Sequence, residues 1–524
     1  MAAPIRQRID RAWRELLGYP GPKRGRRETF LGATANRLYD NWRATTAQVD
    51  AEVRARGRLL RARARDLNTN DEYVGNFRRL LVNNVLGHRG FELQPMVKTA
   101  AGALDMATNR RIAAAWGEWE TERVTTDGQH TWHSLCKLVL VTSRIEGECF
   151  IRVIRGGPFN TWGLAFETID ADLIDETMNR SGFRKADGTW SNEVRMGIEV
   201  DQFGRRVGYH VWERPRSVYE EASRLRYFVP NSEMIHLMDP LRFHQTRGFS
   251  ALNPVMLTTH RRNNMDEAEE VATIVGASKM GIIQSKDTAQ LGETVTQNKI
   301  EVDTEPGTWL QLDPGWEANT WDPDHPNPNL WQFMKYLLRR VASGLGVGYN
   351  AMASDFEGVT WTSLRQSNLT DRDEWRQLQR WFTDFFLVAV YPHWLEATLY
   401  SGKLSLESFD VRRYLAAHWQ PRGWESVQPL DDIQADERKI ALGLTTRTQL
   451  AAERGGNFER NLQRLAEENR LAEEAGVDVS GVLEPPTPSQ PDPPDSAAKA
   501  AEGAAGSNGK KKSLRALARE GGRF

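Results

Sequence analysis

The stretch Asn327-Pro-Asn-Leu-Trp-Gln-Phe-Met-Lys-Tyr-Leu-Leu-Arg-Arg-Val-Ala-Ser-Gly-Leu-Gly-Val-Gly-Tyr-Asn-Ala-Met-Ala-Ser-Asp355 decides how the rest of the chain is read. Asn327 can cap a helix and Pro328 can sit in its first turn, where a missing N–H costs nothing. Leu330, Met334, Leu337, Leu338, Val341 and Leu345 recur at helical spacing, which predicts a helix over 328–345 with Lys335, Arg339 and Arg340 on its other faces. Gly344, Gly346 and Gly348 then stop it, and a polar loop carrying Asp355 and Glu357 is expected to run to about Thr362. These glycines follow a helix rather than a strand, which is the wrong context for binding a dinucleotide.

Downstream, a long helix is expected from Ser363 to Leu395. It is amphipathic at first and then apolar on most sides around Trp381, Phe382, Phe385, Phe386 and Leu387, with Pro392 expected to kink or end it. Thr445–Ala475 is charged and helix-forming, and 484–509, rich in Pro, Ala, Ser and Gly, reads as disordered before a basic end at Lys510, Lys511, Lys512, Arg515 and Arg519. Upstream, residues 284–326 hold nine acids against Lys286 and Lys299 and are broken by Pro306, Pro314, Pro323 and Pro326, so short strands and turns are expected there. Before them lies a helical segment from Asn253 to about Ala277 with Asp266, Glu267, Glu269 and Glu270 on a polar face. From Trp132 to Trp212 the pattern is one of strands: Cys149–Ile154, Leu164–Ile169, and Met196–Val200 facing Val207–Trp212 across the turn Asp201-Gln-Phe-Gly204. The fold class is therefore α+β, with antiparallel hairpins in the body.

The 524 residues carry 69 Lys plus Arg against 70 Asp plus Glu, a net charge of −1 that attracts no partner at long range. Charge is instead local. Residues 1–65 hold fifteen arginines and one lysine against six acids, either a solvated helix face or an arm that meets nucleic acid or an acidic partner. Two cysteines, Cys136 and Cys149, without CxxC spacing exclude a disulfide framework and a four-thiolate zinc site. The longest apolar stretch, Phe385–Leu395, falls short of the ~20 residues of a membrane span, and the first residues lack the apolar core of a leader, so neither secretion nor membrane insertion is expected.

Enzyme signatures are weak. The sequence Gly509-Lys-Lys-Lys-Ser513 is not a phosphate-cradling loop, and no GxSxG occurs. His130, His133 and Cys136 could offer three zinc ligands but have no fourth nearby. Asp170, Asp172, Asp175 and Glu176 could form a two-metal nuclease centre, but no second carboxylate cluster accompanies them. The 18 tryptophans are read as core or subunit-interface anchors.

Several segments, in this order, carry a resemblance: Arg65-Asp-Leu-Asn-Thr-Asn70, Leu81-Val-Asn-Asn-Val-Leu-Gly87, Glu146-Gly-Glu148, Ile198-Glu-Val-Asp-Gln-Phe-Gly204, Ile235-His-Leu-Met-Asp-Pro240, Gln245-Thr-Arg-Gly248, Phe333–Asp355 and Thr360-Trp-Thr-Ser-Leu-Arg365. The chain resembles the lambda-like group of bacteriophage portal proteins from about Tyr39 to Leu404. The resemblance implies a ring, usually a dodecamer, at one capsid vertex, through which double-stranded DNA is packaged and ejected without sequence specificity. It implies a basic arm over 1–65, a wing over 66–249, stem helices over 250–278 and 328–345, and a clip between them over 279–327. A tunnel loop over 346–362, a long helix and wing return over 363–420, a helical crown over 421–483 and a disordered tail over 484–524 complete it.

The residues placed at the tunnel are then Lys335, Arg339, Arg340, Asp355 and Glu357, the three cations facing either DNA or a neighbouring subunit. Those placed at the clip, where the terminase large subunit and the head-completion proteins dock, are Asp313, Glu317, Asp322 and Asp324. Major capsid protein and scaffold are further implied partners. The resemblance implies no catalysis, cofactor, metal or membrane, and residence in the virion after assembly in host cytoplasm. A conduit must not grip DNA, because each cation paired with phosphate adds affinity through counterion release, and the acidic insert and acid-bearing helix suit sliding. The alternative is a metal-dependent nucleic-acid-processing enzyme, monomeric or dimeric, centred on Asp170.

Overall fold

Strands and helices alternate in the body because apolar residues repeat at two periods, and the computed structural model describes this for residues 47–213, 225–277, 281–285, 316–320, 329–425 and 428–477. In chain order, α1 (Val49–Asn70) and α2 (Glu72–Val85) precede β1 (Glu92–Pro95), α3 (Met106–Trp119), α4 (Trp132–Ile145), β2 (Glu148–Arg155) and β3 (Leu164–Ile169). Next come β4 (Phe183–Arg184), β5 (Trp190–Ser191), β6 (Glu193–Arg195), β7 (Ile198–Val200), β8 (Arg206–Trp212), β9 (Arg226–Pro230) and β10 (Met234–Met238). The stretch α5 (Met256–Ala277), β11 (Gly281–Ser285), β12 (Trp316–Thr320), α6 (Leu330–Leu345) and α7 (Tyr349–Ala353) follows. The last elements are α8 (Trp361–Phe382), α9 (Val388–Tyr400), β13 (Ala417–Gln420), α10 (Pro429–Ala441), α11 (Arg447–Glu453) and α12 (Phe458–Ala475).

Two antiparallel sheets build the body. One has the order β10–β2–β3, and the other runs β6–β7–β8–β9. The β7–β8 hairpin turns where expected, with the Asp201 carboxylate accepting from the N–H groups of Phe203 and Arg205. Residues 438–452 and 456–477 form a second unit, in which Asn457 caps α12 by accepting from the N–H of Arg460 and Gly476 closes it in a left-handed conformation.

Among the described residues, Trp116, Trp119, Trp132, Trp162, Trp375, Trp394 and Trp419 are core, while Trp190, Trp331 and Trp361 are exposed. Trp116 of α3 lies 5.5 Å from Trp132 of α4, 5.0 Å from Trp394 of α9 and 5.2 Å from Trp419 of β13, centroid to centroid and edge-on. Edge-to-face packing suits the ring quadrupoles and joins four stretches of chain that are remote in sequence.

Below this aromatic cluster is an ionic one. Glu148 opens β2 with its carboxylate out of water, accepting from Arg247 Nε at 2.9 Å and Nη2 at 2.6 Å, and from the Gly248 N–H at 3.0 Å. Arg61 of α1 adds Nη2 at 3.3 Å and also reaches Asp172 and Glu176. His236 of β10 touches Glu148 at 3.2 Å and stacks on Phe150 at 4.2 Å. Burial works against the Glu148 charge, but the Arg247 guanidinium and the His236 hydrogen bond outweigh it and hold the carboxyl well below its usual range. Burial, with Arg206 nearby, pushes His236 down to about 3, so its ring is neutral. Two glycines let the strands close on this pair: a Cβ on Gly147 would stand 2.2 Å from the Phe249 carbonyl carbon, and one on Gly248 would stand 2.0 Å from the Gly147 oxygen.

Four expectations change. Trp132–Ile145 is a helix, not strand: its buried residues Trp132, Leu135, Cys136, Val139 and Leu140 follow helical spacing. The expected arm boundary at 65/66 falls inside α1, and Arg61 is buried rather than solvated because carboxylates surround it. Helix α6 begins at Leu330 after Asn329; Asn327 and Pro328 lie outside the described residues. Pro392 does not end the long helix: a π turn at Thr383–Leu387 precedes α9, which continues through the proline to Tyr400. The tail over 484–524 also lies outside the described residues.

Glu148→Gln removes the fully buried counter-ion of Arg247 and Arg61 and leaves them only the partly exposed Glu176 and Asp172, and we expect it to cost about 3 kcal/mol. Adding Arg247→Met should cost less than the sum of the two single changes, as measured by denaturant unfolding in a double-mutant cycle.

Candidate functional site

Helix α6 buries Met334, Leu337, Leu338, Val341 and Ala342 along one stripe. It approaches the start of α5 so closely that a Cβ on Gly344 would meet the Val255 side chain at 2.4 Å. Large apolar side chains also stand exposed among polar ones on both helices. On α5, Leu257, Val271 and Ile274 are exposed, Ile274 at 66%; on α6, Trp331, Phe333 and Tyr336 are exposed, Trp331 at 58%.

Helix α5 is anchored at one point by charge. Arg262 is buried, donates to Asp71 at 2.7 Å and Glu72 at 3.1 Å, and lies 4.3 Å from the Tyr73 ring centroid. Asp71 is also the cap of α2, accepting from the N–H groups of Tyr73 and Val74. One carboxylate thus starts α2 and holds α5.

The expected tunnel residues gather around α7, an element absent from the sequence reading of 346–362 as loop. Gly348-Tyr-Asn-Ala-Met-Ala353 turns helical because Met352 and Val347 are drawn into the core, and the long helix starts at Trp361, two residues earlier than expected, with Thr360 as its cap. Lys335 lies 2.7 Å from Asp355. The Tyr349 hydroxyl donates to the same carboxylate at 2.7 Å, and the Glu357 N–H at 3.0 Å, while the Glu357 side chain is exposed. The Lys335 and Tyr349 hydrogen bonds hold Asp355 down to about 2, and burial together with Asp355 pushes the Tyr349 hydroxyl up. Arg339 stands 5.4 Å over the Tyr349 ring, and Arg340 5.8 Å over that of Tyr336. Of the clip residues, Glu317 lies on β12 opposite Gln284 of β11, and Asp313, Asp322 and Asp324 lie outside the described residues.

The acids considered for metal-ion catalysis hold guanidiniums instead. Asp170 meets Arg65 at 2.8 Å, Asp172 meets Arg65 at 2.6 Å, Asp175 meets Arg226 at 2.6 Å, and Glu176 meets Arg61 at 2.8 Å. Cys136 is in the core, where burial pushes its thiol up and keeps it protonated, and His130 pairs with Ser134 at 2.8 Å. Among the described residues no group of three His, Cys, Asp or Glu side chains could hold a metal ion, and no helix is long and apolar enough to cross a membrane.

Residues 35–379 match the family described as phage portal protein, lambda family. The chain belongs to that family. The probable portal protein of Halomonas phage phiHAP-1 is 30% identical over 458 residues, covering 83% of this chain and 86% of that protein. Portal protein B of Escherichia phage lambda is 21% identical over 497 residues, covering 85% and 88% respectively. A solved chain from the neck of an empty GTA particle superposes with a TM-score of 0.40 at 11% identity, covering 79% of this chain and 95% of that one.

The residues that sequence reasoning missed are Arg262, Asp71, Asn76 and Tyr349; Tyr349 lies within a quoted segment, directly after Gly348, but nothing local marks its partner Asp355. Arg247 and Glu148 were within quoted segments, but their pairing across 99 residues has no local signal.

Asp71→Ala removes the α2 cap and strands a buried guanidinium, with an expected loss of about 3 kcal/mol in thermal or urea unfolding. Glu72→Ala, at an exposed partner of the same arginine, should cost under about 1 kcal/mol.

Proposed function

We propose that this portal chain assembles head to tail into a closed ring at one capsid vertex and conducts double-stranded DNA through it, inward during packaging and outward during ejection. The observation that carries the reading is the set of large apolar side chains left exposed on α5 and α6. Leu257, Val271, Ile274, Trp331, Phe333 and Tyr336 stand in water in the single chain, and in this reading a neighbouring copy in a ring covers them. Heterologous contacts need two different patches on each subunit, and two stem helices side by side supply them. The ring is taken to be a dodecamer, as is usual in the family.

Helices α5 and α6 are the stem helices in this reading, and the β11–β12 hairpin is the base of the clip on which the terminase large subunit and the head-completion proteins dock. The electrostatics suit a conduit: α5 carries Glu267, Glu269 and Glu270, and Lys335 is neutralised by Asp355 rather than left to hold phosphate. Arg339 and Arg340 remain as weak phosphate contacts or as contacts to the next subunit. The chain performs no catalysis; a separate terminase supplies the ATP-driven force. Assembly takes place in host cytoplasm with scaffold and major capsid protein, and the ring stays in the virion.

Ile274→Glu combined with Trp331→Glu should reduce the assembled mass to a single 59.6 kDa subunit in light scattering, with an unchanged circular dichroism spectrum. Rings that survive both changes would contradict the interface. Replacing Asp313, Glu317, Asp322 and Asp324 by Lys should leave rings intact and abolish terminase docking in a pull-down; normal docking would count against the clip assignment.

A further inference from the structure

Lys335 enters the sequence reading as a cation facing either DNA or a neighbouring subunit, and the structure pairs it within its own chain. Its ammonium lies 2.7 Å from Asp355 and 5.6 Å from the centroid of the Tyr349 ring, and 21% of its side chain is exposed. Asp355 is saturated by three donors: Lys335, the Tyr349 hydroxyl at 2.7 Å and the Glu357 N–H at 3.0 Å. From the other side, Asn76 of α2 donates its amide to the Ala351 and Met352 carbonyls at 3.0 and 2.8 Å, holding the C-terminal end of α7. Residues 346–360 are thus fastened to α6 at one edge and to α2 at the other.

The same segment has the backbone of something that can swing. Gly346 and Gly358 sit at φ of +71° and +66°, one at each end. Between them Ser354 takes φ +53°, a left-handed conformation that a side chain adopts at a cost, immediately before the anchoring Asp355. Val347 and Met352 keep α7 packed in the core, but beyond it Phe356 is more than half exposed, so the tip from Ser354 to Thr360 makes little packing that would keep it down if the base let go.

We propose that Lys335, Asp355 and Tyr349 form a latch holding the 346–360 segment against α6, so that opening it releases the loop and uncovers the Lys335 charge in one event. Resting on the conduit reading, this makes the position of the loop and the charge of the channel wall a single variable. With the latch closed, the wall offers phosphate a neutral pair; with it open, it offers Lys335 beside Arg339. Closed, the wall lets the duplex slide; open, it holds the duplex through counterion release.

Hydrogen exchange on the full chain tests the latch whether or not the chain is a conduit. Asp355→Asn should speed exchange of the 349–359 amides by about tenfold while β2 and the middle of α6 keep their protection. The exchanged pair Lys335→Asp with Asp355→Lys should restore most of it. Tyr349→Phe, a milder change that removes one donor, should give an intermediate rate. Unchanged exchange in Asp355→Asn, or a loss that the exchanged pair does not repair, would overturn the latch. Binding of a short duplex by the same proteins reads the second half of the proposal. Asp355→Asn should steepen the dependence of log K on log salt by about one phosphate contact, and Lys335→Met should not. Equal slopes in these two variants would overturn the uncovering of charge. Particle assembly is a separate readout: loss of rings in the wild-type chain would remove the conduit and leave the exchange result standing.

Discussion

A carboxylate taken wholly out of water is the constraint around which this fold is arranged. Glu148 has no solvent to stabilise its charge, so the Arg247 guanidinium, a neutral His236 and the Gly248 N–H must stand within 3.2 Å of it. Those partners come from β10, the segment after it and, through Arg61, α1. A buried pair of this kind adds little net stability compared with an apolar core, but breaking it is costly, because the desolvated charge that remains has no alternative. The glycines at 147 and 248 follow from the same demand, since any side chain at either would push the strands apart before the ions could meet.

From that centre the contacts run on to α5 and α6 without a break. Helix α1 carries Arg61 and Arg65 into the carboxylates of 146–176 and ends at Asp71, which caps α2 and anchors Arg262 of α5. Helix α2 then holds α7 through Asn76, and α7 meets α6 through the Tyr349–Asp355–Lys335 group. Helices α5 and α6 are therefore tied at their bases to the body, while Ile274 and Trp331 stand exposed farther along them.

Much of this architecture was legible in the sequence, because period and punctuation are local. The stripe Met334–Val341, the stop at Gly346 and the β7–β8 hairpin all stand where spacing and turn residues put them. What was not legible depends on distance. Nothing near Arg61 says that it will be buried; three carboxylates, Glu148, Asp172 and Glu176, decide that, and a charged helix read by itself looks solvated. Trp132–Ile145 was taken with the strands around it, although its apolar residues keep a helical period. The short helix at Tyr349 escaped notice because glycines and a polar tip dominate its neighbourhood, while Val347 and Met352, which fold it inward, are packed by elements far away in the chain. Among the expected tunnel residues, Lys335 and Asp355 come together, but as each other's counter-ions.

Electron cryo-microscopy of capsids assembled with this chain tests the account most directly. The account predicts a closed ring at a single vertex, with α5 and α6 facing an axial channel that holds DNA and with Ile274 and Trp331 covered by the neighbouring subunit. A chain found at every vertex, or one whose Ile274 and Trp331 remain in solvent, would contradict it.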